Sequence, residues 1–88
     1  MKELSETIKL MQSADYKERF AAEYYQLETR YLKLSAMVKA WDEGTLTFKP
    51  TCPREMYDDQ LNAMFDYLCV LIDRAKIEGV KLEVSFKC

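Results

Sequence analysis

The sequence predicts a mainly α-helical protein: a long antiparallel helical hairpin with a short N-terminal helix and a short C-terminal strand or tail, in a single domain over residues 1–88. Three observations predict it. Apolar residues recur in steps of four and three as Phe20, Tyr24, Leu27, Tyr31, Leu34, Val38 and Trp41, the seam of a helix packed along another helix. A second helical stretch, bounded by Pro53 and Gly79, repeats the pattern. Between them, FKPTCPR (48–54) is the only segment that breaks helical periodicity.

Each element has its own local signal. Leu4, Ile8 and Met11 mark a short amphipathic helix over about 3–12. The first rod covers about 15–43: Ser13 or Asp15 can cap its free N–H groups, and Gly44 supplies a left-handed stop. The second covers about 53–78, with Pro53 in the first turn, where a missing N–H costs nothing, and Gly79 just past the end. Two seams run along it. Tyr57, Leu61, Met64, Leu68, Leu71 and Ala75 form one; Met56, Gln60, Ala63, Tyr67, Val70, Arg74 and Ile77 form the other. A single partner helix covers about one seam, so the second calls for another helix, and a homo-oligomer is expected. Residues 80–87 alternate Val80, Leu82, Val84 and Phe86 with polar residues, a half-buried strand if it finds a partner such as Leu46–Phe48 or a symmetry mate, and otherwise a tail.

Composition excludes several functions. With 13 Lys and Arg against 15 Asp and Glu, the net charge of −2 gives no field that would draw in duplex nucleic acid. The N-terminal stretch lacks the apolar core of a signal peptide, and no segment approaches the about 18 apolar residues of a membrane span, so a cytoplasmic protein is expected. The chain has no histidine, which removes Ser/His and Cys/His pairs, and its carboxylates Asp58, Asp59, Asp66 and Asp73 fall on the outward side of the second rod. Cys52, Cys69 and Cys88 are too few and too scattered for a structural zinc site. Cys69, within YLCVLI, reads as a small buried hydrophobe, Cys88 as a solvated thiol, and Cys52→Ser is expected to change nothing. No enzyme, cofactor or metal is expected.

Two surfaces remain as ligand candidates. The connector sets Lys49, Thr51 and Arg54 around a helix N-terminus, where free N–H groups favour an anion such as phosphate; the alternative is a stiff connector and nothing more. On the helix-dipole argument, Arg54→Glu leaves stability unchanged and weakens only anion binding. The second surface is the line Gln60, Tyr67 and Arg74, seven residues apart, whose amide, phenol and guanidinium suit a nucleobase and its phosphates. The alternative there is a solvated flank with Arg74 paired to Glu78 or Asp73.

The run from about residue 15 to 82, most specifically QLNAMFDYLCVLIDRA with Gln60, Met64, Tyr67, Leu71 and Arg74 in phase, resembles a family of small phage and prophage proteins related to a crAss-like phage protein. More distantly, it is similar to the helical-hairpin phage sponges that sequester cyclic nucleotide signals of anti-phage systems such as CBASS and Thoeris. That resemblance implies a homo-oligomer in the cytoplasm of an infected or lysogenic host, binding a nucleotide second messenger between protomers without catalysis. The other readings are a protein-binding inhibitor of a host defence enzyme, of the anti-CRISPR type, and a small phage structural or assembly protein.

Overall fold

Asp15 begins the first long helix with its own side chain: Oδ1 accepts the Lys17 backbone N–H at 2.9 Å. Ser13 Oγ in turn accepts the Asp15 N–H at 3.0 Å and donates to Glu18 Oε1 at 2.5 Å, which satisfies the helix entry. The computed structural model describes residues 2–85, 87 and 88. A 3-10 turn over Leu4–Thr7 leads into α1 (Ile8–Met11), followed by α2 (Tyr16–Asp42) and α3 (Arg54–Glu78). The molecule measures 43 × 25 × 19 Å, its long axis matching the roughly 40 Å of a 27-residue helix.

Both glycines act as stops. Gly44 adopts φ 76°, and its N–H bonds to the Trp41 carbonyl at 3.0 Å while Thr45 N–H bonds to Ala40 at 2.9 Å, the paired pattern that closes a helix C-terminus. Gly79 adopts φ 72°, and Val80 N–H returns to the Ala75 carbonyl at 2.9 Å. Pro53 differs by one position from the sequence reading. It stands just outside α3 as the N-cap in extended conformation, and Arg54 is the first helical residue.

The antiparallel rods α2 and α3 bury their main core at the open end of the hairpin, away from the connector. Phe20, Ala21, Tyr24 and Tyr25 of α2 meet Leu68, Leu71, Ile72 and Ala75 of α3, with Leu27 and Tyr31 packed against them. Toward the connector the contact continues through rings, Tyr31 with Phe65 (centroids 6.1 Å apart) and Trp41 with Tyr57 (5.7 Å). The predicted inner seam of α3 is the one that packs.

The N-terminal segment covers α2 differently from the expected amphipathic face. Ile8 and Met11 are exposed, whereas Thr7 is fully buried and Leu4 and Leu10 half-buried. Hydrogen bonds decide the docking: Gln26 Nε2 donates to Thr7 Oγ1 at 2.9 Å, and the buried Thr29 hydroxyl donates to the Lys2 carbonyl. The short helix expected over about 3–12 is thus present over residues 4–11, its first turn 3-10 and its second α, but docked through a different face.

The C-terminal segment is neither a paired strand nor a loose tail; among the described residues there is no strand. It folds back over the open end of the hairpin. Val80 and Leu82 pack on the core, Tyr25 Oη accepts the Glu83 N–H at 3.0 Å, and Ser85 Oγ donates to Glu28 Oε2 at 3.0 Å. Phe86, part of the expected alternation, lies outside the described residues. A Cys69–Cys88 disulfide fixes the end, so Cys69 is not a buried thiol nor Cys88 a free one. The tail returns along α3 because its apolar residues find the core edge, and that return brings the two sulfurs together. Cys52 is free and exposed.

Candidate ligand-binding face

One face of the hairpin carries a ladder of polar side chains with matching periods on both helices. On α2, Tyr16, Glu23 and Arg30 are seven apart; on α3, so are Gln60, Tyr67 and Arg74. The helices run antiparallel, so each step of seven up α2 is met by a step of seven down α3. Arg74 Nη2 donates to Tyr16 Oη at 2.9 Å, and the Tyr67 hydroxyl donates to Glu23 Oε2. The third rung, Arg30 with Gln60, is open, and both residues line one groove.

The first rung is densely bonded. Arg74 Nε pairs with Glu78 at 3.1 Å, and the guanidinium lies 4.8 Å from the centroid of the Phe20 ring. Glu78 is held below the ordinary carboxylate range first by the Tyr16 hydroxyl and then by Arg74, and the Tyr16 phenol is raised by the same carboxylate. Of the two alternatives for Arg74, the pairing to Glu78 is present. The flank is not solvated charge alone, however. Met56, Tyr67, Val70 and Ile77 of the second seam are all exposed, Ile77 at 86 %.

The connector offers less than its composition suggests. Arg54 donates from Nε and Nη2 to both oxygens of Asp42 (3.0 and 2.9 Å) and from Nη1 to Asp58 at 2.7 Å, and it lies beside the Trp41 ring. The Arg54 hydrogen bonds hold Asp42 below the usual carboxylate range. This fork ties the end of α2 to the start of α3 and engages three of the five guanidinium N–H groups, on Nε, Nη1 and Nη2. Lys49 and Thr51 are exposed and make no hydrogen bond among the described residues. Arg54 and Arg74, 20 residues apart on one helix, stand about 30 Å apart along its axis, so no mononucleotide spans both.

Two side chains missed in the sequence join the open rung. Arg30 and Lys33 of α2, with Leu34 and Met37, line a groove of about 430 Å3 together with Gln60 and Met64 of α3 and Leu4 of the N-terminal segment. The signal was the seven-residue phase of Arg30 with Tyr16 and Glu23, which has meaning only once the register of the hairpin is known. A smaller recess of about 230 Å3 lies at the open end, lined by Lys2, Tyr25, Glu28 and the returning tail. Glu28 is only 3 % exposed and accepts from the Tyr24 hydroxyl at 2.7 Å as well as from Ser85, so its carboxylate is a structural hub of that end. Among the described residues no group of three or more His, Cys, Asp and Glu side chains is placed to hold a metal, and no helix is long and apolar enough to cross a membrane.

An antiparallel helical hairpin with a register-matched polar ladder and an open groove defines a small helical-hairpin protein. The chain belongs to the Sequestin family, whose sequence profile matches residues 14–77. The match spans all of α2, the connector and all but the last residue of α3, and leaves out the N-terminal segment and the returning tail. The family name is consistent with sequestration of a molecule. Neither the curated proteins nor the solved structures give a match.

Proposed function

We propose that the chain is a phage-encoded counter-defence protein that binds a cyclic nucleotide or ADP-ribose-derived immune signal and withholds it from its receptor, without catalysis. It acts as a homo-oligomer in the cytoplasm of the infected or lysogenic host. The observation that carries this reading is the ladder face itself, where Gln60, Tyr67 and Arg74 alternate with the exposed Met56, Val70 and Ile77. Apolar side chains exposed along a whole helix call for a partner surface, and polar groups interleaved among them suit a ligand held between protomers. Family membership supports the sequestering role, and the resemblance to hairpin sponges supports the nucleotide class. In this reading Arg54 braces the connector, and Gln60, Tyr67 and Arg74 face the ligand.

The test is thermal melting of the purified protein against cyclic dinucleotides, cyclic trinucleotides and cyclic ADP-ribose isomers. A bound signal at 100-fold over its dissociation constant stabilises by about 2.7 kcal/mol, a shift of several degrees for a domain of this size. No shift with any of them at millimolar concentration sinks the reading. The exposed seam favours one other function, docking of α3 on a host defence enzyme, and that reading then leads.

A further inference from the structure

We propose that the groove between the N-terminal segment, α2 and α3 is a nucleotide subsite, with Arg30 and Lys33 taking the phosphoryl group and Gln60 reading an edge of the base laid over Leu34, Met37 and Met64. The proposal deepens the sequestration reading and rests on it for the identity of the full ligand.

The argument starts from how the chain uses its four arginines. Arg19 donates to the Ser13 carbonyl, Arg54 to Asp42 and Asp58, and Arg74 to Glu78 and Tyr16. Arg30 alone has no hydrogen bond, ion pair or ring contact among the described residues. It nevertheless occupies the ladder position equivalent to Tyr16 and Glu23, where the other two rungs are closed by hydrogen bonds across the helices. Gln60, its counterpart on α3, is likewise unbonded. An amide and a guanidinium left open side by side, in a ladder otherwise closed, supply donors and an acceptor to a third party.

The surroundings specify what that party is. Lys33 adds a second cation, held only by an exposed 3.4 Å pair with Glu3, the kind of contact that contributes little and yields to a stronger anion. A planar guanidinium matches phosphate oxygens two at a time, and Lys33 adds a point charge. Leu34, Met37 and Met64 are half-buried and give the groove an apolar floor, and thioether side chains adapt to flat aromatic guests. A volume of about 430 Å3 lies within the range of small-molecule pockets. Cations at one part and an apolar floor with one amide at another are the chemistry of a nucleotide.

The test compares Arg30→Glu and Gln60→Ala with Lys81→Glu, which alters the net charge to the same extent as Arg30→Glu but sits on the exposed side of the returning tail, outside the groove. Calorimetric titration uses the same cyclic dinucleotides, cyclic trinucleotides and cyclic ADP-ribose isomers, and nitrogen-15 NMR spectra verify that each variant is folded. The expected result is a loss of at least about tenfold in affinity for both groove variants and less than about twofold for Lys81→Glu. If the parent binds and Arg30→Glu binds equally well, the subsite is overturned while sequestration stands. If the parent binds none of these compounds, sequestration fails, and adenosine 5′-monophosphate titrated into the labelled protein decides the subsite. Shifts confined to Arg30, Lys33, Gln60 and their neighbours support it, and an unchanged spectrum overturns it.

Discussion

The Tyr67 hydroxyl of α3 donates its proton to the Glu23 carboxylate of α2, one rung along the ladder from the Arg74–Tyr16 bond. The carboxylate acceptor raises the phenol above its ordinary pKa, chiefly through that hydrogen bond. Tyr67 is 45 % exposed, so water competes for both partners. Tyr67→Phe should therefore cost less than about 1 kcal/mol in urea denaturation. A loss of several kcal/mol would mean that the ladder, and not the core at the open end, holds the hairpin together.

Stability should fall in alkali. Tyr24 is fully buried, and its phenol is pushed well above the ordinary value of 10.0, first by burial and then by the bond to Glu28. A raised folded-state pKa means the folded protein holds the proton where the unfolded chain releases it. The contribution is thus complete below pH 10 and declines progressively above it. Tyr24→Phe should be less stable near neutral pH by about 1–3 kcal/mol, because buried Glu28 loses a donor, yet lose less on going to about pH 11. Denaturant midpoints at several pH values check both signs; an equal alkaline slope in parent and variant contradicts this assignment.

Arg54→Glu should destabilise the fold, contrary to what the helix dipole alone predicts. The substitution replaces a fork that clamps two carboxylates with a third carboxylate beside Asp42 and Asp58. Like-charge repulsion among exposed groups is screened by salt, so the loss should shrink as ionic strength rises. Melting curves at low and high salt measure it, and an unchanged melting temperature at low salt contradicts the clamp.

Cys88→Ser should lower the melting temperature only under oxidising conditions. The disulfide spans a sequence separation of 19, a loop for which constraint of the unfolded chain is worth at most about 3 kcal/mol. With a dithiol reductant, parent and variant should converge, the state expected in a reducing cytoplasm. A difference that persists in reductant assigns Cys88 a packing role instead.

Oligomerisation should depend on the outward seam of α3. Light scattering of the parent should give a particle larger than the 10.4 kDa chain, and Val70→Lys combined with Ile77→Lys should reduce it to one chain without changing the helical circular dichroism. A parent already at the mass of one chain refutes the homo-oligomer.

Local chemistry was legible and distant pairing was not. The cap at Asp15 and the stops at Gly44 and Gly79 are set by side chains within a few residues, so the rods expected over 15–43 and 53–78 differ from Tyr16–Asp42 and Arg54–Glu78 by a single residue at three of their four ends and by none at the fourth. Of the two partners of Arg54, Asp58 stands four residues on along the same helix, whereas Asp42 was hidden because it lies 12 residues back, across the connector. Cys69 read as a core residue because nothing in VKLEVSFKC says that the chain turns back along α3. Val80 and Leu82 do face the core as their alternation suggests, yet no neighbouring strand meets them and Val84 stays 40 % exposed. Arg30 was overlooked because α2 was read for its apolar seam, and a cation off that seam gains meaning only from the helix opposite.

The shared seven-residue phase of the two rods also governs which changes of length the protein tolerates in evolution. One residue inserted in α2 between Tyr16 and Glu23 rotates everything on one side by about 100° relative to the other, so one set of rungs no longer faces α3. The connector has no phase to lose, and doubling its length adds only about 0.6 kcal/mol of closure entropy. Insertions and deletions that survive selection should therefore collect around residues 45–52, leaving the rods of fixed length.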